Sequence, residues 1–189
     1  GKSTLFHLIS GQLQPSSGQI LLGDEPIQGY SPEQFNHLGL SRSFQITNIF
    51  PGLSVFENLR IAVMRKHRMQ YHFWRSIQRY PEVRAQTEQL LEKVRLQGKK
   101  TVCAAELSYS EQRALEIGMT LACDPRVILL DEPMAGMSHE ETEYALSLIR
   151  EVTHGRSLLI VEHDMDVVFS LCDRISVLVY GEVIATGTP

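Results

Sequence analysis

Short constellations of residues in this chain have the types and spacing that phosphate chemistry needs. The chain opens on Gly1-Lys2-Ser3-Thr4, the end of the phosphate-binding pattern G-x-x-x-x-G-K-[ST]. Glycine lets a backbone approach an anion closely. A helix starting at this point offers unpaired N–H groups and a favourable dipole to the same anion. Lys2 then reaches the β- and γ-phosphates of a nucleoside triphosphate, and the Ser3 hydroxyl is a ligand for Mg²⁺. Alone, the tetrapeptide also suits any helix start. The second constellation is Val127-Ile128-Leu129-Leu130-Asp131-Glu132-Pro133, an apolar strand that ends in two acids. Asp131 at the carboxyl end of a core strand suits the Mg²⁺ shell, and Glu132 is placed to polarise a water for attack on the γ-phosphate. The pair indicates a nucleotide triphosphatase and leaves its class open.

The elements that must position these residues alternate in type, as in an α/β fold. Lys2 to Ile9 reads as a helix, and Gln19 to Leu22 as a short strand after a turn at Pro15 to Gly18. Ser31-Pro32-Glu33 reads as a helix start, an N-cap followed by proline at the first helical position. From about Val55 to Arg95 there is almost no strand signal, and Glu82 to Val94 is helical in period. The rhythm then returns. Val127 to Leu130 reads as a strand, and Ser138 to Glu141 as a capping box opening a helix. Ser157 to Val161 reads as a strand, Asp164 to Ser170 as a helix, Ile175 to Val179 as a strand, and Gly181 to Pro189 as a strand and loop.

Composition limits the classes. With 189 residues, 43% hydrophobic and 21% charged, the chain can build one domain with a substantial core. No run approaches the roughly 20 apolar residues of a membrane-spanning helix. The net charge of −4 gives no general attraction to nucleic acid. A basic stretch, Arg65, Lys66, His67, Arg68, Arg75 and Arg79, suits either a solvated helix face or a surface near anionic lipid. Cys103, Cys123 and Cys172 have no metal-ligand spacing and suit a reducing compartment.

Leu107-Ser108-Tyr109-Ser110-Glu111-Gln112-Arg113, shortly before the acidic strand, narrows the class. Ser108 with Glu111 is a capping box, and the helix start behind it is a second anion site. Here the sequence resembles the ABC ATPase family, whose signature is LSGGQ. Leu107 and Ser108 match; Tyr109 and Ser110 replace glycines, and Glu111 replaces glutamine. Three more segments stand in the family's order: Ser43-Phe44-Gln45 resembles its Q-loop, Met134 to Ser138 its D-loop, and Ile160 to Asp164 its switch region. Within the family, Ser41 to Ile61, the Tyr109 signature and the run from Leu158 to Leu178 resemble the ATPases of branched-chain amino acid uptake systems.

The resemblance implies an α/β P-loop core, a mixed sheet flanked by helices, with an α-helical subdomain inserted at about 55–122 of a single domain spanning 1–189. It implies ATP and Mg²⁺ as cofactors, with Gly1, Lys2, Ser3 and Thr4 on the phosphates. Ser3, Gln45 and Asp131 would serve the metal, and Glu132, Gln45 and His163 the chemistry. Ser108 and Ser110 would cap the nucleotide of a second ATPase subunit, identical or not. A side chain at Ser110 either weakens that contact or adds a hydroxyl donor. The implied partners are transmembrane permease subunits and, indirectly, a periplasmic or extracellular solute-binding protein; the implied location is the cytoplasmic face of the membrane. Ile49, Phe50, Leu53, Val55 and Phe56 either form the groove for the permease or pack the helical subdomain. The family pattern also implies a domain partial at both ends, so that the chain as given binds and hydrolyses ATP weakly. A non-transport ABC protein would carry tandem cassettes or a long coiled-coil insertion. A regulatory half-site would be expected to lose Glu132 or His163, both of which are present.

Overall fold

The computed structural model describes residues 1–31, 34–35, 38–42, 49–67 and 80–189, with the side chain of Arg42 left aside. Gln45, and with it Arg68, Arg75 and Arg79 of the basic stretch, lie outside the described residues. Among the described residues no helix is long and apolar enough to cross a membrane.

The centre is a three-stranded parallel sheet. Its strands, β3 (Leu40–Arg42), β4 (Val127–Asp131) and β5 (Ser157–Val161), are hydrogen-bonded in that order. Leu40 pairs with Val127 at one edge of β4, and Val127 to Asp131 pair with Ser157 to Val161 at the other. β4 is buried on both faces, as a central parallel strand must be. Ile128 and Leu130 point into one apolar cluster, and Leu129 into another. Two antiparallel pairs accompany this sheet. The first is the hairpin β1 (Leu21–Leu22) with β2 (Glu25–Pro26), and the second the ribbon β6 (Ile175–Val179) with β7 (Glu182–Gly187).

Helix α1 (Lys2–Ile9) lies on the Leu129 side. Its Phe6 is fully buried with Ile27, Phe35, Leu40 and Val161, which fixes the start of the helix relative to the strand ends. Among the described residues, three α-helices occupy the chain between β3 and β4: α2 (Val55–Lys66), α3 (Pro81–Lys93) and α4 (Tyr109–Leu121). They share the larger cluster through Leu59, Val63, Leu91, Val94 and Leu115. Gly118 on α4 permits the close approach. A methyl group there would stand 2.8 Å from Leu59 and 3.0 Å from Val94. The crossover from β4 to β5 is α5 (His139–Thr153), which buries Ala145, Leu148, Ile149 and Val152. α6 (Met165–Leu171) follows β5, with Asp164 as its N-cap.

The five apolar residues from 49 to 56 divide. Val55 is buried in the core, and Ile49 and Phe56 pack against it, so these three serve the helical packing. Phe50 and Leu53 are exposed. The turn carrying them is held by buried Asn58, whose Oδ1 accepts from the Phe50 N–H at 2.7 Å while its Nδ2 donates to the carbonyls of Phe50 and Ser54.

α4 and α5 begin with the same device. Ser108 Oγ accepts from the Glu111 N–H at 3.3 Å, and Glu111 accepts from the Ser108 N–H at 3.0 Å. Ser138 and Glu141 repeat this at 3.3 and 3.0 Å. Burial pushes the Glu111 carboxyl upward, but the Ser108 amide and hydroxyl and the Lys99 ammonium outweigh it and hold the group below the usual carboxylate value of 4.5. A carboxyl depressed by folding stabilises the fold in full above its ordinary value, and that stability is lost as pH falls through the depressed value. Acid unfolding followed by circular dichroism should therefore show a shallower loss of stability between about pH 5 and 2 in Glu111→Gln than in the parent. Identical acid limbs would show that the box carries no linked proton.

Candidate functional site

The residues read as a phosphate seat lie where α1 begins and β4 and β5 end. α1 starts at Gly1, which is the N-cap and has no side chain to occupy the helix's first N–H groups. Ser3 and Thr4 are exposed on its first turn. The Lys2 ammonium reaches the end of β5, 3.0 Å from His163 Nδ1 and 3.4 Å from its Nε2. His163 Nε2 lies 2.6 Å from Glu132 Oε1. A neutral imidazole with its proton on Nε2 satisfies both contacts, donating to Glu132 and accepting from Lys2 at Nδ1. Lysine, histidine and glutamate from opposite parts of the chain thus form one hydrogen-bonded line. His163 is largely exposed and Glu132 about a quarter so, which leaves the line open to a ligand.

Backbone geometry explains how adjacent acids on β4 face different surroundings. Asp131 is in strand register opposite Val161 and is buried, only 2% exposed. Glu132 leaves the strand in the left-handed region, with φ 47°, a conformation that a non-glycine residue adopts at a cost and that is common at functional sites. Its N–H donates to the Val161 carbonyl at 2.8 Å, and its carbonyl accepts from Ala135 at 3.1 Å. Those bonds turn the chain over the end of β5, so that the Glu132 carboxylate meets His163.

Glu162 supplies a connection that the sequence pattern did not single out. Its carboxylate accepts from the Met134 N–H at 3.0 Å and from the His163 N–H at 3.2 Å. It ties the segment after Glu132 to the backbone of His163. Glu162 stands inside the switch-like run, and a carboxylate between an apolar strand and a functional histidine was the available signal.

Ser108 and Ser110 stand apart from this line, at the start of α4. Tyr109 is the first helical residue, and Ser110 lies in the first turn. The two hydroxyls are 3.1 Å apart. The Ser138 amide chiefly holds the Glu141 carboxyl below its usual range; desolvation opposes it, and the Ser138 hydroxyl adds to the lowering. Arg113 and Glu116 form a buried ion pair at 2.7 Å, and Arg113 Nη2 donates to the Tyr109 hydroxyl at 3.1 Å. Tyr109 at the third signature position is thus anchored by its ring oxygen while remaining exposed.

A helix start, a lysine, two strand-end acids and a histidine at one locus can bind a triphosphate and place a base beside it. Comparison with known proteins gives the family. Residues 1–135 match the family model for the ABC transporter. The high-affinity branched-chain amino acid transport ATP-binding protein LivG of Escherichia coli K12 is 34% identical over the whole chain, which covers 77% of it. BraF of Pseudomonas aeruginosa, described in the same words, has the same identity and coverage. A ribose import ATP-binding protein, RbsA 3 of Rubrobacter xylanophilus, is 34% identical over 98% of the chain and 36% of its own length. Among solved structures, MJ1267, an ATP-binding cassette of an ABC transporter, superposes with a TM-score of 0.87 at 29% identity over all of this chain and 76% of that one. The chain belongs to the ABC transporter family and is its ATP-binding, ATP-hydrolysing subunit.

Proposed function

We propose that this subunit powers import of branched-chain amino acids or related amides, as one of two ATPase subunits beneath transmembrane permease subunits at the cytoplasmic face of the membrane. The observation that carries the catalytic part is the hydrogen-bonded line Lys2–His163–Glu132. In this reading Gly1, Lys2, Ser3 and Thr4 bind the phosphates. Mg²⁺ fits the oxygen donors on offer: the exposed Ser3 hydroxyl and the buried Asp131 carboxylate, with Gln45 as a further candidate outside the described residues. When bound, the ion neutralises charge on the β- and γ-phosphates.

The chain's own residues do the rest. The γ-phosphate replaces the contact between Lys2 and His163: the Lys2 ammonium donates to its oxygens, and the His163 Nε2–H turns from Glu132 to donate to them, which frees the Glu132 carboxylate. The Glu132 carboxylate accepts a proton from a water molecule. The water oxygen forms a bond to the γ-phosphorus as the bond from that phosphorus to the β–γ bridging oxygen breaks, which leaves ADP and phosphate. Ser108 and Ser110, with the N–H groups that open α4, cap the nucleotide of the other subunit. The helices from 55 to 122 form a subdomain, and exposed Phe50 and Leu53, on the turn that precedes it and is fixed by Asn58, dock the permease.

The solute assignment is supported by whole-chain similarity to LivG and BraF. The equal identity to a ribose import protein makes sugar import the second reading, and labelled leucine and ribose uptake by the reconstituted transporter separates them.

Glu132→Gln removes the proton acceptor and keeps the side-chain shape. Steady-state hydrolysis should fall by about 10²–10⁴-fold, with ATP binding retained and an ATP-dependent dimer seen in sedimentation. Hydrolysis at the parent rate would remove Glu132 from the mechanism. Phe50→Asp places a charge on the proposed docking turn. Reconstituted transport should drop at least about tenfold while hydrolysis by the isolated subunit is kept, since a desolvated charge at such an anchor costs more than 1.4 kcal/mol; undiminished transport would refute the docking role.

A further inference from the structure

Arg95, one residue past the C-cap of α3, combines features that a surface arginine does not need. Its backbone is left-handed, with φ 58°. The Leu96 N–H donates to the Leu91 carbonyl at 2.9 Å and the Arg95 N–H to the Glu92 carbonyl at 3.0 Å, which is the Schellman ending of a helix. That position favours glycine or asparagine, because an L side chain is disfavoured there. The sequence accepts an arginine nonetheless, and the guanidinium makes its contacts with α5. Nη1 donates to Ser147 Oγ at 2.9 Å, Nη2 to Glu151 Oε2 at 2.6 Å, and the group lies 5.7 Å from the centre of the Tyr144 ring. These partners are spaced three and four apart, along one stripe of α5.

The same stripe runs back to the start of α5, where Glu141 closes the capping box with Ser138. Four residues beyond Arg95, Lys99 pairs with Glu111 at 3.1 Å, on the capping box that opens α4. The short segment from Arg95 to Lys99 therefore bridges the second half of α5, through Arg95, and the start of α4, through Lys99. α5 follows directly from the chain leaving Glu132.

We propose that Arg95 is a positioning residue for ATP hydrolysis: it clamps the end of α3 to α5 and so sets Ser108 and Ser110 relative to the Glu132 segment. The assignment rests on the reading that Ser108 and Ser110 face a nucleotide. The contacts are partly exposed, so each is individually weak and the clamp biases an orientation that can still change during turnover.

Arg95→Gly separates positioning from folding, because glycine relieves the left-handed backbone while removing the guanidinium. In the full-length protein, kcat for ATP should fall about three- to tenfold, the size of a lost network of weak contacts, with KM within about twofold. The thermal midpoint should be unchanged or higher. Arg95→Lys, which keeps the charge opposite Glu151 without the fork, should recover part of kcat. Parent or raised kcat in Arg95→Gly, or a fall in kcat matched by a lower thermal midpoint, overturns the proposal. Ser110→Asp, measured alongside, locates the failure. If it abolishes hydrolysis while Arg95→Gly does not alter it, only the clamp is wrong. If neither changes hydrolysis, the role given to Ser108 and Ser110 is wrong as well.

Discussion

The burial of β4 on both faces is the constraint from which the site follows. Ile128 and Leu130 are held in one apolar cluster and Leu129 in the other, so the strand can neither slide nor rotate without exposing one set. A one-residue slip would turn every side chain to the opposite face and move the acidic end away from its neighbours. Parallel pairing with β5 then decides what meets that end. Asp131 lies opposite Val161, so His163, two residues on, emerges beside Glu132. Phe6 does the same for α1, since its burial with Leu129 and Val161 brings Lys2 to the same strand ends. Charged groups converge here because apolar residues several positions away leave them no other place.

Much of this was legible in the sequence because it is local. α1, β5 and β6 lie on the residues that periodicity indicated, and the Ser138 and Ser108 capping boxes make both of their expected bonds. Local chemistry suffices for such elements: a serine three residues before a glutamate can close the box wherever the helix goes. The family resemblance was legible for a different reason, the order of several short motifs along the whole chain.

The parts that escaped are long-range or short. β3 has only three residues, Leu40-Ser41-Arg42, too few to show alternation, and it is a strand because β4 pairs with it. Val55 looked as suitable for a docking groove as Phe50, and its burial is decided by residues far along the chain. Asn58, Glu162 and Arg95 read as ordinary polar residues. Each proves to bind backbone or side chains that sequence distance hides: Asn58 the Phe50 turn, Glu162 the Met134 and His163 amides, Arg95 the flank of α5. Polar residues that organise a site from beside it have no signature of type and spacing.

If Lys2, Glu132 and His163 surround the seat of the terminal phosphate, a crystal structure of the Glu132→Gln subunit with ATP and Mg²⁺ will show it. The γ-phosphate is expected between the Lys2 ammonium and the His163 imidazole, within hydrogen-bond distance of both, with their present mutual contact broken. A nucleotide bound with its γ-phosphate elsewhere, or bound there with Lys2 and His163 still joined, would contradict it.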